Sequence, residues 1–376
     1  MSYTTVSDRN RTRLWVLAGG RCEYRGCNEI LWRDSITMGK MNKAYIAHVV
    51  ADRPYGPRGD VVRSDQLKDD LRNLMLLCDQ CHRRIDKEQL QEHPEEVLLK
   101  MKREHEDRIE LATALRPEDR THVLLYGSNI GAITSPLTER GCEEALQKAR
   151  RLRTTPNPIS LSWRGRKTED HEDGYWRTEV EELQRQFAAF TASARLSDVN
   201  HFSVFAHAPQ PLLIKLGALL TDQFPTDVYQ LHREPKSTWV WQEDDDGLIY
   251  KLHIPATIAG PPVLKLALSG TINDERVTEV APRGATIWTV TRDNPHNDHL
   301  RSLTQLSLLR KIMRTAMDKI KAAHGEDETL HVFPAMPVSA AVEFGRIRMP
   351  KADLSMLIYD QNRLTGGFTP SITITQ

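Results

Sequence analysis

Residues 72–86 read RNLMLLCDQCHRRID. Cys78 and Cys81 stand two residues apart on what reads as a tight turn, with an asparagine upstream and a histidine directly after. Beyond the turn, HRRIDKEQL reads as the start of a helix. On that helix His82 and Asp86 are four residues apart and share a face. An imidazole and a carboxylate side by side can hold a divalent cation. A second close pair, Cys22 and Cys27, lies upstream in GGRCEYRGCNEIL. Thiolates are the preferred ligands of structural zinc, and four of them make a closed tetrahedral site. Two pairs in one short, core-poor segment predict a zinc site at Cys22, Cys27, Cys78 and Cys81 rather than four separate buried thiols.

The rest of the composition is that of an ordinary globular protein, with 39% apolar and 27% charged residues. The 51 Lys and Arg balance the 51 Asp and Glu, which excludes a protein gripping nucleic acid through one large basic surface. Any DNA contact must be local, or helped by metal ions and oligomerisation. No apolar run approaches the length of a membrane-spanning helix, and MSYTTVSDRNRTRLW lacks the apolar core of a signal peptide. The expected location is the cytoplasm, where cysteines stay reduced. Cys142, which stands apart, reads as a small buried apolar residue.

Residues 1 to about 90 are rich in turn signals, such as AGGRC and RPYGPRGD. Residues 94–114 follow an acidic helix start after Pro94 and read as a connecting helix ending near Arg116-Pro117. From 120 onward strand-type and helical runs alternate: HVLLYG (122–127), a helix near 138–153, ISLSW (159–163), a helix near 176–195, HFSVFA (201–206) and PLLIKLGALL. VYQLH, LIYKLHI, VLKLALSG and ATIWTVT follow as strands, then a long helix near 299–323, LHVFPA and VSAAVEFG. Such alternation predicts parallel, doubly wound sheets, and the length suits two Rossmann-like halves. No low-complexity segment or short-period repeat is evident.

His48, at the end of YIAHVV, together with Asn73 and His82, matches the three signature positions of HNH endonucleases, whose fold is called ββα-metal. AHVV, GPRGD and LRNLMLLCDQCHRRID resemble the zinc-stabilised subgroup over roughly residues 20–90. The resemblance implies that His48 is a general base, that Asn73 fixes the loop aiming it, and that His82, with Asp86, binds Mg²⁺ or a similar ion. Phosphodiester hydrolysis needs an activated water and a cation on the scissile phosphate, and imidazole titrates near operating pH. Many family members carry Asp or His just before the catalytic histidine; here that residue is Ala47, so fewer protein groups hold the ion, or Asp52 or Asp60 supplies a carboxylate. Arg53, Arg58, Arg63, Arg83 and Arg84 read equally as solvated charges or as phosphate contacts.

Open parallel sheets bind ligands at the carboxyl ends of their strands. Ser128 follows the first strand, and Trp163, Arg164, Arg166 and Lys167 follow the second, an aromatic with cations suited to bases and phosphates. Lys351 and Tyr359 lie near the last strands. Trp239 and Trp241 read as core packing first and base-stacking platforms second. HFSVFAHAPQPLLIKLGALL, VYQLHREPKSTWVW and HVFPAMPVSAAVEFGRIRMPKADLSMLIYD resemble SAVED domains, fusions of two CARF-like units that bind cyclic oligonucleotides. The organisation implied is an α+β, zinc-stabilised ββα-metal HNH domain over 1–92, a connecting helix and linker over 93–119, and an α/β SAVED domain of two CARF/Rossmann-like halves over 120–376. An HNH domain before SAVED resembles the effector nucleases of CBASS, a bacterial anti-phage system. The implied activity is a latent nuclease for double-stranded DNA, largely without sequence preference. A cyclic di- or trinucleotide switches it on, and it forms a homo-oligomer, dimer or tetramer, when active. Two other readings stay open: a restriction-type HNH enzyme whose C-terminal domain reads modified DNA, and a zinc-clipped DNA-binding regulator that is not an enzyme.

Overall fold

Two separate cores form, one in the unit Met1–Leu115 and one in the unit Arg116–Gln376. The computed structural model describes residues 6–34, 36–130, 135–155, 157–161, 169–243, 247, 249–361 and 366–375. Trp163, Arg164, Arg166 and Lys167 lie outside the described residues. Among these residues no helix is long and apolar enough to cross a membrane.

In the first unit, Ser7 caps α1 (Asp8–Leu17) by accepting from the Asn10 amide. The helix is largely polar, and Leu14 is its one buried side chain. β1 (Ala44–His48) pairs antiparallel with β2 (Leu74–Cys78), with His48 opposite Leu74. Between them lies the short α2 (Arg63–Leu67). β2 is buried on both faces and runs straight into α3 (Asp79–Arg83), which continues as a π-helical turn, Arg84–Glu88. The 94–114 segment does more than connect. It forms α4 (Glu95–Thr113), and its Leu98 and Met101 join the core made by Leu14, Leu31, β2 and Ile85. His105 Nε2 meets the Ala18 carbonyl at 2.9 Å.

The second unit holds two sheets. The first has the order β4-β3-β6-β7, with β5 also beside β3, and all its strands are parallel: β3 (Arg120–Gly127), β4 (Leu152–Arg153), β5 (Ile159–Ser160), β6 (Phe202–His207) and β7 (Thr226–Val228). α5 (Glu139–Lys148), α6 (Tyr175–Ala194) and α7 (Gln210–Leu220) connect and cover it. The second sheet has the order β13-β12-β11-β9-β10-β8, from β8 (Tyr250–His253), β9 (Pro262–Ala267), β10 (Thr286–Arg292), β11 (Thr329–Ala335), β12 (Ser355–Gln361) and β13 (Phe368–Ile374). Its centre is parallel, and the edge strands β8 and β13 run antiparallel. Its helices are α8 (Asp274–Thr278), α9 (Leu303–His324) and α10 (Val338–Arg346). The wholly parallel expectation therefore holds for the sheet centres but not for the second sheet's rims.

The two sheets are copies of one plan. β6 and α7 read VFAHAPQPLLIKLG, and β11 and α10 read VFPAMPVSAAVEFG, with Val, Phe, Pro and Gly at matching places. Leu125 sits beside Phe205 in the first sheet as Lys265 sits beside Phe333 in the second. Phe205 stacks on Tyr229 and Phe333 on Tyr359, both with ring centroids 4.2 Å apart. The repeat is too long in period and too diverged to stand out in the sequence.

α7 and α10 cross at Gly217 and Gly345 between the two sheets. A Cβ at Gly217 would run into the Val342 carbonyl, and one at Gly345 into the Ile214 carbonyl. Buried Arg346 pairs with buried Glu343 at 2.6 Å and donates to the Thr221 and Phe224 carbonyls just past the end of α7. Overpacking a close-packed crossing costs about 1–3 kcal/mol, sometimes more. Gly217→Ala and Gly345→Ala should each destabilise the second unit by about 3 kcal/mol, read as a lowered thermal midpoint, while Ala218→Gly on the same helix shifts it far less.

Candidate functional sites

In the first unit the four cysteines converge. The Sγ atoms of Cys22, Cys27, Cys78 and Cys81 all lie within 4.8 Å of one another, and Cys27 and Cys78 are 3.9 Å apart. Tetrahedral zinc with bonds of about 2.3 Å needs sulfur atoms separated by about 3.8 Å, so the four thiols fit that ion. The Cys78 amide points to Cys22 Sγ at 3.4 Å and the Cys81 amide to Cys78 Sγ at 3.4 Å, contacts that favour thiolates. Burial pushes the Cys22 thiol up to about 12 and raises Cys81 as well; a divalent cation offsets that cost. Among the described residues this is the one gathering of three or more Cys, His, Asp and Glu groups suited to a metal.

Next to it, β1, the turn Leu71–Asn73 before β2, and α3 carry the three other predicted residues. Asn73 is buried and closes a ring with the chain just past His48. Its Oδ1 accepts from the Val50 amide at 2.8 Å, and its Nδ2 donates to the Val50 carbonyl at 2.8 Å and to that of Leu67 at 3.2 Å. His48 is 8% exposed, and its Nε2 meets the Lys68 carbonyl at 2.9 Å. A carbonyl can only accept, so the proton sits on Nε2 and Nδ1 keeps a free lone pair. His82 stacks on Tyr45, with centroids 5.2 Å apart, and its Nε2 lies 3.3 Å from Asp86 Oδ2. Burial lowers the His82 pKa, which Asp86 partly opposes.

Asp86 departs from the expected role. Its Oδ1 is 2.6 Å from Arg58, whose side chain is 9% exposed and also donates to the Val49 carbonyl at 2.7 Å and the Ile85 carbonyl at 2.8 Å. Asp86 is thus committed to Arg58 and to orienting the His82 ring, rather than standing open as a second cation ligand. Asp60 caps the start of α2 through the amides of Val62 and Arg63. Most of the arginines read as phosphate contacts have protein partners: Arg63 with Glu95, Arg83 with Asp79, and Arg84 over the Tyr24 ring.

In the second unit, β3 and β6 end side by side, and the residues after β6 meet those after β11 at one crevice. The Ser128 amide donates to the His207 carbonyl, and its hydroxyl is 3.0 Å from the Tyr175 hydroxyl. Gln210, in the first turn of α7, donates to the Met336 carbonyl just before α10, so the starts of the two helices lie together. Gln230 reaches the Ser339 amide at 3.1 Å in the first turn of α10. His207 Nδ1, Gln210 Oε1, both nitrogens of His232 and Trp241 Nε1 are buried without a hydrogen-bond partner. Buried polar atoms in that state are unusual and mark places where a ligand or water completes the bonding. Burial holds His232 down to about 4. His207 and His232 escaped the sequence reading, although each closes an apolar strand-like run.

The other predicted ligand residues separate. Tyr359 is 2% exposed, packs on Phe333 and bonds the His331 Nδ1 at 3.0 Å, so it is core. Lys351 is exposed in the turn between α10 and β12, at the amino ends of the strands and opposite the crevice edge where Ser128 lies. Trp239 is buried edge-on against Phe205.

A family model for the SMODS-associated and fused to various effectors sensor domain, SAVED, matches residues 183–374. The chain belongs to the SAVED family. Solved structures similar to it include the Acinetobacter baumannii Cap4 SAVED/CARF-domain containing receptor with the cyclic trinucleotide 2′3′3′-cAAA, at 10% identity over 75% of this chain and 56% of that one, TM-score 0.42. The same receptor with 3′3′3′-cAAA matches at 10% identity over 75% and 60%, TM-score 0.42. The Moraxella osloensis Cap4 receptor matches at 12% over 75% and 58%, TM-score 0.39. The chain thus spans less than two thirds of each Cap4 receptor. No curated protein matches it.

Two outcomes test the first unit. Cys78→Ser should abolish a stoichiometry of one zinc per chain, measured by elemental analysis, and remove the first unit's thermal transition while that of the SAVED segment persists. Arg58→Met should destabilise the first unit by about 3 kcal/mol, the cost of stranding a buried charge. In Arg58→Met/Asp86→Asn the losses should fall short of additive.

Proposed function

We propose that the chain is a nucleotide-gated DNA endonuclease: an HNH-type ββα unit, clipped by zinc at its four cysteines, under the control of a SAVED sensor for a cyclic di- or trinucleotide. The observation that carries the catalytic half is the Asn73 ring around Val50. It holds the strand end that bears His48 against β2, and β2 runs on through Cys78 into the helix bearing His82. Two histidines are thereby fixed to adjoining elements with defined tautomers.

In this reading His48 Nδ1 takes the proton from a water attacking the phosphodiester, and Nε2–H stays on the Lys68 carbonyl. As the imidazolium forms, that carbonyl and the nearby Asp69 carboxylate stabilise it. Asp86, 3.3 Å from the His82 Nε2, would favour the tautomer protonated there and leave Nδ1 to bind a cation. A divalent cation such as Mg²⁺, when bound there with the phosphate, would supply charge stabilisation for the leaving oxygen. The absence of an acid at Ala47 agrees with a site whose remaining ligands are water and substrate.

Support for the sensing half comes from membership of the SAVED family and from the unpartnered donors and acceptors at the crevice. Cyclic trinucleotides are what the Acinetobacter baumannii Cap4 receptors hold. Here the two helix starts would meet phosphate groups, and His207, Gln210 and His232 would meet base or sugar edges. Gating is a population shift: a nucleotide that contacts two protomers binds the assembled state better and favours it by that difference. Such a chain would serve as a CBASS-type anti-phage effector.

The test is plain plasmid with Mg²⁺ and purified protein, with and without a panel of cyclic di- and trinucleotides. Cutting should require one nucleotide and fall about 10²–10⁴-fold in His48→Ala, as expected for loss of a general base, with zinc content unchanged. Cutting of modified DNA alone, with no nucleotide, would favour a restriction-type enzyme. No cutting under any condition would favour a DNA-binding regulator.

A further inference from the structure

The duplicated plan of the second unit exposes one place where the copies part company. Leu125 and Lys265 occupy the same register position, each beside the phenylalanine of the neighbouring strand, Phe205 or Phe333. Both point to the outer face of their sheet. In the first sheet that face is sealed: Leu125 packs with Val123, Cys142, Leu146 and Trp239 under the ten-residue helix α5. In the second sheet the corresponding helix, α8, has five residues and the leucine is replaced by a lysine. The outcome is a cavity of about 520 Å³ over β9, β10 and β8.

A lysine in the middle of a strand whose six residues are all buried is costly. Its side chain is 11% exposed, and its partner Asp274 is 65% exposed and can be satisfied by water. The same core position holds leucine in the sister sheet, so the fold itself does not require a charge there. The cavity wall adds Arg292, at the end of β10, His253 from β8, and the hydroxyl-bearing Thr271 and Thr289. Its apolar lining includes Ile254, Pro255, Ala267, Ile272 and Ile287. The volume falls in the ordinary range of small-molecule sites, about 300–1,000 Å³. Strand register places Lys265 beside Thr289 in mid-wall, with Arg292 toward one end of β10 and Ile287, next to Ile254 and Pro255, toward the other. Two cations against one carboxylate, with an apolar stretch beyond them, suit a ligand with an anionic head and a flat apolar body.

We propose that this outer cavity is a second small-molecule site, separate from the crevice between the halves, and that it takes a phosphate-bearing ligand of mononucleotide size. Lys265 and Arg292 hold the phosphate, and the apolar stretch of Ile287, Ile254 and Pro255 takes the ring. The site lies wholly within the second copy of the sheet and needs neither the nuclease reading nor the gating reading.

Isothermal titration of the full chain with adenosine 5′-monophosphate, inorganic phosphate and adenosine tests it. The monophosphate should bind at submillimolar concentration, phosphate at least ten-fold more weakly, and adenosine not measurably at millimolar concentration. Lys265→Met should weaken the monophosphate at least ten-fold while leaving the thermal midpoint equal or higher, since it removes a buried charge of similar length. Ile287→Ala should weaken the monophosphate but not phosphate. His207→Ala, in the crevice, should change neither. Absence of monophosphate binding at millimolar concentration, or binding that survives Lys265→Met and is lost in His207→Ala, would overturn the proposal. So would equal affinity for phosphate and monophosphate, which would mean an anion hole without a ring site.

Discussion

The second unit depends on how closely α7 and α10 approach each other. Two sheets covered on both faces need a shared inner layer, and these two helices form its centre. Their backbones touch at Gly217 and Gly345, where any side chain would meet a carbonyl of the other helix. That contact fixes the crossing, and the crossing sets where both helices begin. Each begins seven residues upstream of its glycine, just after a proline, at the carboxyl end of a central parallel strand. The crevice with its unpartnered His207 and Gln210 atoms is therefore a geometric consequence of two glycines set deep in the core. Site and scaffold are linked by one helix pair rather than by a mobile loop.

The first unit solves a different problem. Its apolar core is small, and its hairpin has two strands, which alone is marginal in water. Thiolate–metal bonds would supply what apolar burial does not. Cys78 belongs to the end of β2 and caps α3 at once, so a metal there holds the turn from strand to helix. The next residue after the second thiol of that pair, His82, inherits its position from the clip. Arg58 ties the other side, joining the carbonyl of Val49 to that of Ile85 and to the Asp86 carboxylate. Arg58, which reads from sequence equally as a solvated charge or a phosphate contact, is turned inward as a strut.

What was legible in the sequence followed strong local signals. The cysteine pairs, the alternation of strands and helices after residue 120, and the apolar runs of α7 and α10 all depend on short-range pattern, and each appears in the structure. α1 was missed because nine of its ten residues stay out of the core, leaving no amphipathic stripe to read. α4 was read as a connector because its apolar positions are few; the lysine and histidine it buries, Lys102 and His105, carry no apolar signal. Tyr359 and Lys351 were grouped by nearness in sequence to the last strands, but an αβ connection reverses the chain and sends them to the core and to the opposite rim. The 128-residue displacement between VFAHAP and VFPAMP became readable only when register placed Leu125 and Lys265 at equivalent points.

If the chain cuts DNA as proposed, its zero net charge needs an account of how it grips a duplex at all. Duplex affinity is largely the release of counterions by lysines and arginines, and it falls by orders of magnitude when few phosphates are met. In the first unit Arg58, Arg63, Arg83 and Arg84 each have a partner within the fold, so a single copy would hold DNA weakly. Weakness of that kind is useful in an enzyme that must stay silent. When copies assemble along one duplex, their few phosphate contacts act together, and the effective concentration of the second copy replaces affinity that the first lacks. Under the proposed function, neutral charge and a catalytic cation shared with the substrate would then belong to one design, in which assembly rather than a basic surface decides when the chain meets DNA.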